Sequence, residues 1–577
     1  MQRIQCDVLV IGSGMAGFRA ALRAVEVVPR VVLVDKGKVS RAGKSAFAGF
    51  ATLYPAETDD LSAWHRELVE RGNYISDQDW VKVMLEETPQ RIQELIDWGA
   101  SYEKDEKGRP LRSSGMAHEV TRVATFDSLQ TFALMRERAK SLGITILDRV
   151  MITGLLTADG SYPTGGAIVG AFGFGTLTGE TYVINAKATV ATTGGSGWYD
   201  LSSDGVVESY RAGAEVSNVE FGRLWDHVGL AGKYAEVRLN AWQRAGMVLR
   251  NSNGERFMER YHPQLKEKVS RFDFALPIVI ETLQGRGPVS IDLTQSDPAA
   301  LDRLRNLPTT SRKVRGIERE GINLSKQLVP INVFSGFLIS QVGGLRNNIS
   351  GETNLAGLYA AGEAGGYPSH GTYTVGGVNI AMCNVSGYRA GESAARFAQQ
   401  APSRPVNEGQ VKHLEKETFA PMNGSNGLRP HVLMDEMEEY LSPATVAIFR
   451  NARTIQSTVA KTQEWEAQAQ ACQASDLHEL VKANKARNYA VIIRLFSRAS
   501  LEREECRGPQ VRTDFRYKDN VNWLKWVVMR PAADGSISVQ RVPIPLDRYP
   551  VKPEKYEKIP FTYPVPKDDG RGGLQWE

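Results

Sequence analysis

A short apolar run, Cys6-Asp7-Val8-Leu9-Val10-Ile11, feeds directly into Gly12-Ser13-Gly14-Met15-Ala16-Gly17 and then into an Ala-rich stretch from Phe18 to Ala24. A second β-type run, Val31-Val32-Leu33-Val34, ends on Asp35. Strand, GxGxxG, helix, strand and acid in this order form the fingerprint of a dinucleotide site. Gly12 permits the tight turn, Gly14 lets backbone approach a pyrophosphate, and Gly17 lets the helix pack closely on the strand. The helix N-terminus then turns its free N–H groups toward the phosphates. Asp35 is set to accept hydrogen bonds from a ribose 2′-hydroxyl, with Lys36 beside it.

The 577-residue chain is long enough for about three or four domains. Its 70 basic and 66 acidic residues leave a net charge of +4 with no long basic run, which argues against a nucleic-acid-binding protein. The first strand begins at once, so the sequence predicts no signal peptide. Its apolar stretches fall short of a membrane span. Cys6, Cys383, Cys472 and Cys506 lie far apart, with no CxxC pair. That spacing predicts no disulfide framework and no iron–sulfur, zinc or other metal site in this chain. A cytoplasmic setting is expected.

Residues 57–100 place Leu61, Trp64, Leu68, Trp80, Val83, Met84, Ile92, Leu95 and Ile96 at helical spacing. A helix is expected over 126–142, a strand over 144–147, and a small antiparallel meander over 150–190. The strand 187–192 runs into Thr193-Gly194-Gly195-Ser196-Gly197, a second place for backbone to approach a cofactor. Residues 216–344 lose the βαβ rhythm and read as an insertion. The rhythm returns at Leu355-Ala356-Gly357-Leu358-Tyr359-Ala360-Ala361-Gly362-Glu363, followed by a helix from about Val378 to Gln399. Residues 411–500 read as helical. Recurrent prolines from Pro543 to Pro566 predict an extended tail lying on a surface, its own or a partner's.

Several segments together resemble the flavoprotein subunits of succinate dehydrogenase and fumarate reductase, a superfamily that includes L-aspartate oxidase and the α subunit of adenylylsulfate reductase. They are Gly12 to Gly17, Val190 to Gly197, Asp204-Gly205 with Arg211 to Glu215, Asn253 to Tyr261, Gly357 to Glu363, His370-Gly371, and Asn522-Trp523-Leu524-Lys525. They occur in family order across nearly the whole chain. The resemblance implies an α/β fold: a Rossmann-like FAD-binding domain (1–215 and 345–410), an inserted α+β capping domain (216–344), a C-terminal helical domain (411–530) and a Pro-rich tail (531–577). Candidate FAD-contacting residues are Gly12, Gly14, Gly17, Asp35, Lys36, Lys44, Ser45, Thr193, Gly194, Asp204, Gly362, Glu363 and Asn379. In the family, Glu363 would contact the flavin's ribityl chain; its alternative is a glycine turn capping a helix.

The departures from the family pattern carry more information. Covalent-flavin members bond the flavin through a His where this chain has Gly43, in Arg41-Ala42-Gly43-Lys44-Ser45. FAD is therefore expected to be non-covalent. Among the dicarboxylate-site residues, the donor Arg matches Arg271. The Glu that relays protons aligns near Asn240, a His with Ile339, and a carboxylate-binding Arg with Thr374. The other substrate His falls at Trp225 or His227. Charge-assisted contacts contribute about 1.5–3 kcal/mol each, so losing these partners should leave succinate and fumarate poorly bound. Trp225, Phe334 and Phe337 suit a more apolar or aromatic substrate if they point inward.

Arg271, His370 and His227 are thus the catalytic candidates, and Trp225, Asn240, Ile339 and Thr374 the substrate-pocket candidates. For Arg271 the alternative is an interdomain salt bridge; for His370, a structural imidazole bonded to a loop carbonyl. Asp226 could orient His227. Arg122 is a lesser candidate, in a loop that nears the flavin in the family. The leading expectation is an FAD-dependent oxidoreductase that does not act on a C4 dicarboxylate, with hydride or an electron pair passing through flavin N5. The alternatives are an adenylylsulfate-reductase-like protein, a stand-alone oxidase or monooxygenase, and a non-catalytic FAD scaffold. Without cluster cysteines, one-electron traffic needs a partner such as an iron–sulfur subunit, and the tail and helical domain are candidate docking surfaces. An oligomer is also allowed.

Overall fold

The computed structural model describes residues 1–576 apart from 48–50, 198–200, 231–238, 307–310, 341–342, 374, 425–426 and 570–572; the side chains of 223–228, 230, 239–240, 312–313 and 334–340 are also outside the description. Strand Gln2–Ile11 sits in the middle of a seven-stranded sheet, and its second half is fully buried. That burial explains its unbroken apolar run, because a central parallel strand has a packed layer on both faces. It pairs in parallel with Val31–Asp35 on one side and with Thr181–Ala191 on the other, and Leu358–Ala360 extends the parallel set beyond Thr181–Ala191. Ile11 stands opposite both Val34 and Ala191, and Ala360 stands opposite Ala191. Four strand ends, far apart in sequence, therefore finish at one level. In open α/β sheets, ligands bind in the crevice beyond such carboxyl ends.

The meander Val150–Thr157, Ile168–Gly175 and Thr181–Ala191 is antiparallel, as its alternation predicts. It is not a separate sheet, because its last strand pairs with Gln2–Ile11. Helix Met15–Val25 packs on helix Val378–Gln400 through small residues. A Cβ at Gly387 or Gly391 would stand 2.3 Å from the backbone oxygen of Ala16 or Ala20. This contact ties the two halves of the FAD-type fold together across the insertion.

Within the insertion, strands Arg223–Leu230, Val329–Ser340, Val289–Asp292 and Val248–Arg250 form an antiparallel sheet. Helix Arg271–Glu281 accompanies it and buries Phe272, Phe274, Leu276 and Ile278. Helices Glu408–Phe419, Pro430–Leu441, Ala452–Gln470 and Leu477–Glu502 follow. The third of these starts with a reciprocal capping box between Asn451 and Thr454.

From Ile537 on, the C-terminal region is extended and lies largely on the chain's own surface, as its prolines predict, and part of it adds strands to the fold. Hairpin strands Lys525–Pro531 and Ile537–Pro543 straddle the expected boundary at 531. They join Val216–Ser217 and Gly344–Leu345 in one sheet, so the C-terminus staples both crossings into the insertion. Farther on, Tyr549, Val551 and Tyr563 are buried. Prolines only limit the ladder hydrogen bonds this segment can make; its aromatic side chains supply the anchoring.

Candidate active site

The four strand ends open on a cleft bordered by Ile11, Val34, Thr192 and Gly362. Of the thirteen residues expected to contact the cofactor, all but Gly17 and Asn379 line it. Gly17 lies beneath, where a Cβ would stand 1.8 Å from the Gly12 carbonyl oxygen. Its role is the close helix–strand packing read from the sequence. Gly12 adopts φ +104°, and a Cβ there would meet the Thr192 backbone at 2.6 Å. At Gly14 a Cβ would meet only the Ser45 hydroxyl, at 3.3 Å, so a methyl group there would take up cleft space. Helix Met15–Val25 has Gly14 as N-cap with no side-chain cap and no acid in its first turn. Its N-terminal N–H groups are suited to an anionic ligand.

Asp35 braces this loop. Its Oδ2 accepts from Ser13 N at 2.8 Å and Ser13 Oγ at 2.7 Å, and its Oδ1 accepts from Gly37 N. Oδ1 keeps a second lone pair for a sugar hydroxyl, whereas both acceptor sites of Oδ2 are taken by Ser13. Lys36 is committed elsewhere, pairing with Asp204 at 2.9 Å and donating to Ser202 Oγ at 2.8 Å. Burial opposes ionisation of Asp204. Lys36, with hydrogen bonds from Ser202 and Asn488, outweighs it and holds the carboxyl below its ordinary range. This pair fixes the floor of the cleft to helix Leu477–Glu502. Lys44 Nζ meets Glu363 Oε1 at 2.8 Å across the mouth.

At the other end Tyr367 and Cys383 line the cleft, 3.5 Å apart at Oη and Sγ. Burial pushes the Cys383 thiol up to about 12, so it is protonated and inert as a nucleophile. The Tyr367 ring stacks on His370 with centroids 4.5 Å apart and planes 15° from parallel. His370 Nε2 lies 2.7 Å from Asn379 Oδ1 and its Nδ1 lies 3.3 Å from Ser369 Oγ. Two expectations change here. Asn379 turns its amide to His370 instead of lining the cleft. Both ring nitrogens of His370 have protein partners, which favours a structural imidazole over a proton donor.

Arg271 opens helix Arg271–Glu281 behind the Ser270 N-cap and does not line the cleft itself. The segment just before it is tied to the FAD-type fold. Ala117 N donates to Lys268 O, and Gly376 N donates to Met116 O. The loop 115–118 therefore bridges the insertion and the loop that enters helix Val378–Gln400. On this bridge lies His118, which the sequence reading missed. It is buried, its Nδ1 lies 2.6 Å from Thr121 Oγ1, and its Nε2 has no partner among the described residues. Burial pulls its pKa down to about 4 despite the nearby Glu67 carboxylate. Arg122 folds back on the same loop, donating to the carbonyls of Glu119 and Thr121.

The other pocket candidates are only partly described. Trp225 pairs with Ser335 and His227 with Phe334 in the insertion sheet, with register shifts on both sides of Trp225. Asn240 lies in helix Leu239–Arg244 and Ile339 in strand Val329–Ser340. The side chains of Trp225, Asp226, His227, Asn240, Phe334, Phe337 and Ile339 lie outside the described residues, and so does Thr374 altogether.

Residues 7–380 match the family model of an FAD binding domain, and residues 434–557 match a fumarate reductase flavoprotein C-terminal model. The chain is 28% identical to one of the subunits of the CoM/CoB fumarate reductase from Methanothermobacter marburgensis, covering 89% of this chain and 94% of that protein. It is 26% identical to a fumarate reductase flavoprotein subunit of Mycobacterium tuberculosis, over 95% of this chain and 98% of that one. The fold matches the flavoprotein of E. coli quinol fumarate reductase with a TM-score of 0.85 at 21% identity, over 96% and 99% of the two chains. The glycine cradle, the helix N-terminus with no side chain at its N-cap and the acid at the second strand's end fit an FAD in the cleft. Among the described residues no helix is long and apolar enough to cross a membrane, and no cluster of metal-ligating side chains occurs.

Proposed function

The chain belongs to the fumarate reductase and succinate dehydrogenase flavoprotein superfamily, and on that premise we propose that this FAD-dependent oxidoreductase acts on a substrate other than a C4 dicarboxylate. One observation carries the reading. By the family resemblance, the Glu, the His and the Arg placed around the dicarboxylate align near Asn240, with Ile339 and with Thr374, none of which is charged at neutral pH. Arg271 is the cation of that set retained. The M. marburgensis and M. tuberculosis relatives are named for fumarate reduction, and that activity is theirs.

FAD supplies hydride or electron-pair transfer at its N5 when bound. The protein's part is to position and to polarise. Lys36 and Asp204 hold the cleft floor, and Lys44 and Glu363 hold its mouth. Arg271 can anchor an acidic or oxygen-bearing substrate through its fork of donors while staying charged. His118 is the remaining imidazole near the interdomain bridge. Neutral at working pH, it would accept or donate one hydrogen bond through Nε2. Non-covalent binding of FAD is supported by Gly43, where no side chain exists to form the bond. The four cysteines are buried and far apart, so we assign onward electron transfer to a separate iron–sulfur or other electron-transfer subunit.

Titration of the oxidised holoprotein with succinate, fumarate and malonate, followed by the flavin difference spectrum, tests the reading. No saturating perturbation is expected up to about 1 mM, a free energy of about −4.1 kcal/mol. Saturation below that concentration would show that a dicarboxylate site survives.

A further inference from the structure

The helical region contains a buried cluster of four arginines, Arg450, Arg503, Arg507 and Arg512, each at most 3% exposed. Three have carboxylate partners. Arg503 pairs with Glu220 and Glu505, Arg507 with Glu505, and Arg512 with Asp514. Arg450 forms no ion pair among the described residues. Its Nη2 donates to Pro509 O and Gln510 Oε1, its guanidinium lies 4.6 Å from the Phe496 ring centroid, and its Nε has no acceptor among the described residues. The cluster thus holds three carboxylates for four guanidinium groups. A buried charge left without a counter-charge is costly.

Arg450 lines a small cavity, with room for about one water-sized occupant, between helices Ala452–Gln470 and Leu477–Glu502. Thr454, Thr458, Ser497 and Ser500 supply hydroxyl groups to its wall, and Phe496 closes one side. Ser500 is fully buried, and its hydroxyl has no partner among the described residues. Two unused donors, one of them cationic, therefore border one polar space. Burial and the neighbouring Arg512 pull the Arg450 pKa down to about 9, still above neutrality, so the charge persists.

We propose that this cavity binds a single small monovalent anion of halide size, held by Arg450 Nε–H and the Ser500 hydroxyl. Water would satisfy both donors but leave the positive charge uncompensated. A doubly charged anion would exceed the one missing charge, and the apolar walls from Val446, Ile455 and Phe496 offer it no further donors.

Bromide and chloride are the probes. Crystals of the full-length holoprotein grown without halide and soaked in sodium bromide should show an anomalous bromine peak within hydrogen-bond distance of Arg450 Nε and Ser500 Oγ. In solution, sodium chloride should raise the melting temperature saturably, by about 2 °C over sodium gluconate at equal ionic strength. That difference should vanish in Ser500→Ala and Arg450→Gln. A cavity with no anomalous peak, or equal melting temperatures of the wild type in the two salts, would overturn the assignment and leave water as the occupant. The wild-type measurements decide the matter even if Arg450→Gln fails to fold.

Discussion

Lys44 Nζ lies 2.8 Å from Glu363 Oε1, joining residues 319 positions apart across the mouth of the FAD cleft. Glu363 is 6% exposed, so its carboxylate acts in a setting where charge-assisted bonds count. Glu363→Ala should weaken FAD binding by at least about tenfold, about 1.4 kcal/mol. Glu363→Gln, which keeps the shape, should show a smaller loss. Flavin fluorescence after ultrafiltration measures both. Unchanged affinity in the Ala variant would make the pair a purely structural link.

Gly14→Ala and Gly17→Ala should fail in different ways. At Gly14 the new methyl meets a movable Ser45 hydroxyl at 3.3 Å and enters the cleft. That variant should fold and lose FAD. At Gly17 the methyl would stand 1.8 Å from a backbone oxygen, a clash only main-chain movement can relieve. That variant should be insoluble or grossly destabilised. Circular dichroism and flavin content separate the two outcomes.

The Arg271 helix is held by the C-terminal segment. Tyr563 Oη donates to Asp273 Oδ1 at 2.5 Å, and His262 Nε2 lies 2.5 Å from the same hydroxyl. Tyr563→Phe should cost about 1–3 kcal/mol of stability by leaving buried polar groups unpaired, read from denaturant midpoints. Arg271→Ala should keep FAD and fold while lowering turnover at least about tenfold. Arg271→Lys should restore only part of the activity, because the charge returns without the fork. Normal turnover in the Ala variant would make Arg271 structural.

His118 predicts a pH dependence. Its folded-state pKa is lowered from 6.5 to about 4. Between those values the unfolded chain binds a proton that the folded chain does not. Stability from this group is therefore complete above about pH 6.5 and is lost as pH falls toward 4, by up to about 3 kcal/mol. Glu67 favours the charged form, while Arg122 and Arg244 oppose it. His118→Gln should flatten the stability profile between pH 6.5 and 4. An unchanged slope would place the titration elsewhere.

The FAD half of the fold was legible because each of its parts has a local cause. Gly12 to Gly17 states its turn and its packing in the residues themselves, and Asp35 ends its own strand. The interdomain site was less legible because its partners are set by contacts between remote segments. Nothing near Asn379 says that its amide will meet His370, or that Tyr367 will cover that ring. His118 was missed because its position follows from the Ala117–Lys268 and Met116–Gly376 backbone bonds. The extended tail was legible from its prolines, but its anchors were not, because proline spacing describes backbone freedom whereas Tyr563 acts through a tertiary contact.

The central claim is that an intact FAD fold serves a substrate other than a dicarboxylate. It is tested most directly by reducing the holoprotein anaerobically and mixing it with fumarate in a stopped-flow spectrometer. The account predicts flavin reoxidation slower than about 1 s⁻¹, below the ordinary range of enzyme turnover. Saturable reoxidation at or above that rate would contradict it.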